Sequence, residues 1–188
     1  MATLIVCNIM SLDGYYADAT GNPLVLPMDG AFDRHNLAVL SGADRILLGA
    51  NSYRMFMGFW PAQATNPEAG ETHRAFGELY GRLPVSVISD SLTDEDVAPW
   101  REQTTVVPRD EAQSHVKGLS GTVAVFGSRV TWTSLLAAGL VDEVHLVVGA
   151  TVLGGGTPLF TEPVTGLTTA GVERLDGSDN VLLRYRAT

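Results

Sequence analysis

The segment VAVFGSRVTWTSLLAAGLVDEVHLVVGATVLGGGTPLF, residues 123–160, decides the fold, because it holds a strand, a turn, a helix and a second strand. Val123–Phe126 is apolar throughout, which is typical of a strand buried on both faces. Gly127-Ser128 predicts a sharp turn. Four residues then recur at helical spacing: Thr131, Leu135, Leu136 and Leu140. Val144–Val148 resumes strand character, so the segment predicts a βαβ unit.

A βαβ unit binds nucleotides when a tight glycine turn lets the backbone approach a phosphate group and the helix N-terminus contributes its positive end. Gly127-Ser128 has this place in the segment. The glycines at Gly154–Gly156 lie between two strands with no helix behind them. They therefore predict a bulged connection between strands, with ligand contact as the alternative.

Composition limits the function classes. The chain has 188 residues, 45% of them hydrophobic, which predicts one well-buried domain over residues 1–188. Its 12 basic and 21 acidic residues give a net charge of −9, which argues against nucleic acid or an anionic membrane as a partner. Cys7 is the only cysteine, so an internal disulfide and a tetrathiolate metal site are excluded. We expect a soluble, cytoplasmic protein, because no apolar run approaches the ~18 residues of a membrane span.

Strands alternate with helices along the rest of the chain. The further predicted strands are Thr3–Met10, Ala43–Gly49, Val85–Ile88, Thr104–Val107, Leu167–Leu175 and Val181–Tyr185. The last two lack a helix between them and read as an antiparallel hairpin. The pattern predicts an α/β fold of three layers, αβα, with a mainly parallel central sheet and antiparallel C-terminal strands.

Helix boundaries follow from cap residues and breakers. A first helix begins at Asp29 or Asp33 and ends near Gly42. Asn51 or Ser52 is the predicted N-cap of the next helix. Three later segments are assigned as a surface loop, a helix and a short helix, respectively: Pro61–Gly70, His73–Tyr80 and Glu111–Val116.

Ligands of such sheets bind at the carboxyl ends of the strands. The residues directly after strands are therefore the candidates for a site: Asp13-Gly14, Gly49–Ser52, Ser89–Ser91 and Gly127-Ser128. The four histidines show no metal-ligand spacing, so no metal site is expected. His145 is interpreted as a core or interface histidine, and the three tryptophans as packing residues.

Five strings, in order, resemble the dihydrofolate reductase superfamily, and in particular the branch with the pyrimidine reductase domain of riboflavin biosynthesis. They are SLDG at Ser11–Gly14, ILLGANSYR at Ile46–Arg54, VISDS at Val87–Ser91, SLLAAGLVDEVHL at Ser134–Leu146 and VLGGGTPLF at Val152–Phe160. The resemblance implies a dihydrofolate reductase-like fold, NADPH as cofactor and hydride transfer to a small heterocycle. Relatives of this branch also imply a homodimer, to which the apolar strand Val144–Val148 is a candidate contributor.

The resemblance also implies a set of cofactor-binding residues. They are Gly14, Tyr15, Gly49, Ala50, Asn51, Ser52, Arg54, Ser89, Asp90, Ser91, Gly127, Ser128, Arg129 and Val130. Arg54 would supply a fixed charge beside the adenosine phosphates. Ser128 departs from the family pattern, which has a second glycine in this turn.

Two carboxylates are implied on the substrate side. Leu26-Pro27-Met28-Asp29 resembles the entry to the first helix of dihydrofolate reductases, which makes Asp29 a candidate catalytic acid. An N-cap is its alternative role. Asp13 is a second catalytic candidate and has a turn residue as its alternative. Val147 stands where those reductases have a threonine, and Tyr15 where riboflavin-pathway reductases have a basic residue.

Three hypotheses follow for the function. The first is an NADPH-dependent reductase of a pterin- or pyrimidinone-like acceptor. The second is the riboflavin-pathway step that reduces a ribosylaminopyrimidinone phosphate. The third is a non-catalytic protein of the same fold that binds an apolar ring through its aromatic residues: Tyr15, Tyr16, Phe56, Phe59 and Trp60.

Overall fold

A computed structural model describes all residues, 1–188. Its strands are β1 Thr3–Ser11, β2 Tyr15–Ala17, β3 Arg45–Gly49, β4 Val85–Ile88, β5 Thr104–Val107, β6 Thr122–Phe126, β7 Glu143–Gly149, β8 Thr157–Pro158, β9 Leu167–Arg174 and β10 Val181–Ala187. Its helices are α1 Gly30–Ser41, α2 Ala50–Gln63, α3 Glu71–Tyr80, α4 Asp94–Val97, α5 Ala112–Gly118 and α6 Arg129–Ala137. Single 3-10 turns occupy Pro23–Val25, Ala98–Trp100 and Arg109–Glu111. None of the helices is long and apolar enough to cross a membrane.

Eight strands form one sheet in the order β5-β4-β3-β6-β1-β7-β10-β9. The first six are parallel to one another, whereas β10 runs antiparallel to both β7 and β9. Strands β2 and β8 form a separate antiparallel pair that the sequence did not predict. The mainly parallel sheet with antiparallel C-terminal strands confirms the predicted fold class.

Side chains that alternate along the central strands fill two apolar layers. Leu4 and Val6 of β1 join the layer that includes Trp132 and Leu135 of α6. Cys7 of β1 belongs to the opposite layer, which packs against α2 and α3. Both faces of the sheet are therefore covered by helices, as the uninterrupted apolar strands indicated.

The predicted N-cap of α2 is wrong. The helix begins at Ala50, with Gly49 as an N-cap that makes no side-chain hydrogen bond. The Ser52 hydroxyl accepts a hydrogen bond from the backbone N–H of Ser128, in the turn after β6. The sequence pattern assigned a capping role to the Ser52 hydroxyl, but this hydroxyl binds the backbone of Ser128 instead, which is distant in sequence.

The loop predicted for Pro61–Gly70 begins too early. Helix α2 continues through Pro61 and ends at Gln63. The ring of Trp60 stacks on Phe76 of α3, with ring centroids 4.6 Å apart. This packing against α3 holds the last turn helical despite the hydrogen bond that proline cannot donate.

Strand β7 does not offer an edge for dimerisation. It lies between β1 and β10 and pairs with both. Val144, Leu146 and Val147 are buried in this chain's own core. Within Val144–Val148 only Val148 is half-buried, so this segment offers little surface to a second chain, and the homodimer itself stays a prediction.

Beneath α1, two imidazoles meet on the sheet. His145 Nδ1 lies 3.2 Å from His35 Nε2, and His145 Nε2 lies 3.1 Å from a carboxylate oxygen of Glu143. Burial, with the fields of His145 and Arg184, lowers the pKa of His35 from 6.5 to about 4. Burial also lowers the pKa of His145, against the opposing effect of Glu143. Both rings are therefore neutral at neutral pH.

We predict that acid weakens this contact. The unfolded chain binds a proton at His35 near pH 6.5, whereas the folded chain does so only near pH 4, so stability is complete above pH 6.5 and falls between these values. His35→Gln should flatten this part of the curve of unfolding free energy against pH, measured by urea denaturation. An NMR titration midpoint of His35 near 6.5 in the folded wild type would contradict the assignment.

Candidate active site

Two strand-to-helix turns are hydrogen-bonded to each other. The Gly49 N–H at the end of β3 donates to Ser128 Oγ at 2.8 Å. The Ser128 N–H donates in return to Ser52 Oγ, in the first turn of α2, at 2.9 Å. Ser52 and Ser128 are both buried. The N-termini of α2 and α6 are thus held side by side at the carboxyl edge of the sheet.

The turn after β6 has an unusual backbone. Gly127 and Ser128 both have left-handed conformations, with φ of 54° and 50°. A Cβ atom on Gly127 would lie 3.0 Å from Ser52 Oγ, so a side chain there would press on the interlocked turn. Ser128 is the one non-glycine residue with positive φ in the chain. Ser128, where the resemblance implies a second glycine, therefore keeps the left-handed turn and adds a hydroxyl that ties it to β3.

Neither α2 nor α6 has a side-chain cap. The first N–H groups of a helix have no partner within the helix, and an N-terminus carries partial positive charge. The first-turn backbone of α2 at Ala50–Ser52 and that of α6 at Arg129–Thr131 border the same cleft. Two adjacent uncapped N-termini form a site suited to an anion.

This polar cleft has a volume of about 600 Å³. Seven of the residues predicted to bind a cofactor line it: Gly49, Ala50, Asn51, Ser52, Ser128, Arg129 and Val130. The Arg129 side chain has no ion-pair partner and makes no side-chain hydrogen bond in the structure, so its charge is not neutralised locally.

Arg54, which was also predicted to bind the cofactor, lies outside the polar cleft. Its guanidinium group makes two hydrogen bonds to the Asp96 carboxylate, at 2.8 and 3.0 Å, and one to the Ser91 carbonyl. It does not line the polar cleft. The charge that was expected beside phosphate groups is instead paired across to α4.

The segment Ser89–Ser91, which follows β4, does not line the polar cleft but contacts a residue that does. Ser89 Oγ accepts the N–H groups of Ser91 and Leu92, so it stabilises its own turn. Asp90 accepts the Arg109 N–H and also pairs with the Arg109 side chain at 3.5 Å. Arg109 lines the cleft, whereas the three residues 89–91 do not. Asp90 therefore positions a basic residue at the rim.

A second cleft of about 360 Å³ adjoins the first and is mainly apolar. Its aromatic walls are Tyr16, Phe32, Phe56, Phe59, Trp60, Phe76, Tyr80 and Phe126. Tyr16 borders both clefts, and Gly127 lines the apolar cleft next to Ser128 in the polar one. The two clefts therefore meet at the Gly127-Ser128 turn. Tyr15 lines neither of them.

Three polar side chains line the apolar cleft: Asn8, Asp33 and Asn36. Asn8 Nδ2 donates to the Gly127 carbonyl, and its Oδ1 accepts the Ile9 N–H, so it supports the turn. One carboxylate oxygen of Asp33 lies 3.2 Å from His73 Nε2. The buried Oδ1 of Asn36 has no hydrogen-bond partner.

Asp29 is the N-cap of α1 and lines neither cleft. Its Oδ1 accepts the N–H groups of Ala31 and Phe32, and its other oxygen accepts the Ser178 hydroxyl. Burial raises its pKa, but these hydrogen bonds outweigh burial and leave the pKa below its ordinary value. In this geometry Asp29 is a structural cap, and the carboxylate within the apolar cleft belongs to Asp33, one helical turn later.

Asp13 holds two loops together. Its carboxylate oxygens accept the N–H groups of Leu153 and Gly154, from the glycine-rich connection after β7. Hydrogen bonds, first from Ser11, lower the pKa of Asp13 to about 2. Asp13 and Gly14 both lie outside the two clefts. Asp13 therefore clamps a loop connection, in agreement with its alternative role as a turn residue.

Sequence reasoning missed Arg109 and Asn36. Arg109 comes shortly after β5, so the rule that examines strand ends would have found it. Asn36 lies on α1 one turn from Phe32 and one turn from Leu40, within an otherwise apolar stripe. A polar residue in such a stripe is the signal for it. The proximity of Cys7, His35 and His145, whose ligand-type atoms lie within 4.8 Å of one another, was also outside the reach of spacing rules.

Comparisons with known proteins agree with this architecture. A family model described as the RibD C-terminal domain matches residues 2–179. A putative riboflavin biosynthesis protein from Shewanella sp. PV-4 is 24% identical with a TM-score of 0.67, and the alignment covers 100% of this chain and 99% of that one. A pyrimidine reductase-like protein from Corynebacterium diphtheriae is 15% identical with a TM-score of 0.63, over 100% and 92%. RibD of Acinetobacter baumannii is 15% identical with a TM-score of 0.68, over 100% of this chain and 58% of that one. No curated protein sequence matches significantly.

The hydrogen bonds between the two turns, Gly49 to Ser128 and Ser128 to Ser52, lead to a prediction about stability. Ser128→Ala removes the acceptor for the buried Gly49 N–H and keeps a Cβ at positive φ, so it should cost about 1–3 kcal/mol of unfolding free energy. Ser128→Gly loses the same acceptor but relieves about 1–2 kcal/mol of left-handed strain, so it should cost less. Urea denaturation of both variants measures the difference. Equal loss in the two variants would contradict the strain assigned to Ser128.

Proposed function

The chain belongs to the RibD C-terminal domain family, and from this membership we propose that it is a reductase that transfers a hydride from NADPH to a small heterocyclic acceptor. The family assignment agrees with the dihydrofolate reductase-like fold and with the oxidoreductase class that the sequence predicted. The observation that carries the proposal is the contact between the two clefts at Gly127-Ser128. A cofactor in the polar cleft and a ring in the apolar cleft would meet there.

The residues of the polar cleft fit a dinucleotide phosphate. Two helix N-termini offer N–H donors toward it, and Arg129 adds a full positive charge without a competing partner. Arg109 offers a second cation at the rim, held by Asp90. The chain therefore binds and orients the cofactor, and NADPH, when bound, supplies the hydride.

The apolar cleft suits the acceptor. Its aromatic walls exclude water from the reacting ring, and its one carboxylate, Asp33, is the group available for moving a proton. Asn8 holds the Gly127 carbonyl, so the wall shared by the two clefts is fixed in place. The aromatic walls by themselves also favour the second candidate, a ring-binding protein without catalysis. NADPH oxidation by any heterocyclic acceptor separates the two.

We predict that Arg129 contributes more to NADPH binding than Arg54. Arg129→Ala should raise the Kd for NADPH about 10-fold or more, since a charge-assisted hydrogen bond is worth about 1.5–3 kcal/mol. Arg54→Ala should change it less than about 3-fold, because Arg54 is paired with Asp96. NADPH fluorescence titration measures both, with the exposed Arg82→Ala as a control. A larger loss of NADPH affinity in Arg54→Ala than in Arg129→Ala would contradict this prediction and support the sequence-based assignment of Arg54 to the phosphate groups.

A second prediction separates the two carboxylates of α1. Asp33→Asn should lower kcat about 100-fold, as expected for loss of a general acid. Asp29→Asn should leave kcat within about 2-fold, because asparagine caps a helix as well as aspartate does. The assay is loss of NADPH absorbance with a pterin or pyrimidinone acceptor. A large loss of kcat for Asp29→Asn in a folded protein would overturn the cap assignment.

A further inference from the structure

The inference rests on the proposed function, because it concerns the substrate class of the same site. No lysine or arginine lines the apolar cleft. Its only carboxylate, Asp33, makes the cleft unfavourable for an anion, and the nearby His73 is engaged by that carboxylate. A phosphate group in this cleft would meet apolar walls and the Asp33 carboxylate, and it would find no arginine or lysine to pair with.

The arginines of helices α1 and α2, which contribute walls of the cleft, are engaged elsewhere. Arg54 of α2 is paired with Asp96. Arg34 of α1 donates to the Asp176 carbonyl. The rim of the cleft is instead apolar, with Leu24, Met55 and Phe59 exposed there.

Among the residues that line the apolar cleft, Asn36 has the one buried side-chain polar atom without a hydrogen-bond partner. Its side chain is more than nine-tenths buried and lines the cleft. Its Oδ1 has no partner in the protein and is shielded from solvent, so the amide must turn toward the cleft to bind a ligand through this oxygen. A side-chain amide presents an acceptor beside a donor. This pair matches a ring edge that carries a donor beside an acceptor, as when asparagine binds the edge of adenine through two hydrogen bonds.

The aromatic walls of the apolar cleft favour a planar ligand. Phe56, Phe59 and Trp60 line one side of the cleft and Phe32 lies on α1. The volume of about 360 Å³ suits a heterocycle of one or two rings. We propose that the apolar cleft binds an uncharged, phosphate-free planar lactam, with Asn36 hydrogen-bonded to the adjacent ring N–H and C=O. The riboflavin-pathway alternative requires a phosphorylated substrate. The effect of a phosphate group on binding therefore distinguishes that alternative from this proposal.

The test uses a matched pair of probes, a ribosylaminopyrimidinone and its 5′-phosphate, which differ only in the phosphate group. Binding is measured by quenching of Trp60 fluorescence, with Trp60→Phe to subtract the signals of Trp100 and Trp132. We expect the phosphate-free probe to bind at least 10-fold more tightly. A 10-fold preference for the phosphate would overturn the proposal and favour the riboflavin-pathway step.

Two variants test the residues. Asn36→Leu should weaken binding of the phosphate-free probe at least 10-fold, and it should have little effect on an N-methylated analogue that lacks the ring N–H. Phe59→Arg places a cation at the rim and should shift preference toward the phosphate at least 10-fold. Equal binding of the probe by wild type and Asn36→Leu would overturn the role of Asn36.

These readouts do not depend on turnover. Urea denaturation of the same variants reports whether each protein is folded, and NADPH titration in the polar cleft reports whether the proposed cofactor binds. Failure of NADPH to bind would count against the proposed function and leave the comparison of the two probes interpretable. Loss of probe discrimination with intact NADPH binding would count against the substrate class alone.

Discussion

The hydrogen bonds that join Ser128 to Gly49 and Ser52 are the constraint on which the architecture of the candidate site depends. They tie the turn after β6 to the turn after β3, and they do so through buried groups that need partners. As a result the N-termini of α2 and α6 border a single polar cleft. The adjoining Gly127 forms part of the wall of the apolar cleft, so one turn determines where the two clefts meet.

The two clefts have opposite character. The polar cleft gathers backbone N–H groups and two arginines, Arg109 and Arg129, in a protein whose net charge is −9. The apolar cleft has aromatic walls and a single carboxylate. Attraction for an anion is therefore local to one half of the site, and this separation is what a charged cofactor and an uncharged ring require.

Much of the site was predictable because it follows strand ends. Gly49–Ser52 and Gly127–Val130 were named from sequence. The structure brings Gly49–Ser52 and Ser128–Val130 into the polar cleft, and Gly127 lines the adjoining apolar cleft. Arg54 was also predicted from the segment Ile46–Arg54 to bind the cofactor, yet its guanidinium group forms an ion pair with Asp96. A local pattern identifies an arginine near a helix start, but it does not say which distant carboxylate will lie within reach of its guanidinium group.

The strands of the central sheet, its mainly parallel order with an antiparallel end, and the family were readable from the sequence alone, because apolar periodicity and glycine turns are local properties. The short β2-β8 pair was not. Only the tertiary structure decided which side chains face the clefts. Asp29 caps the start of α1 and Asp33 lies in its first turn, and only the packing of α1 on the sheet fixes which of the two carboxylates lines a cleft. Asn36 was left with an unpaired oxygen for the same reason.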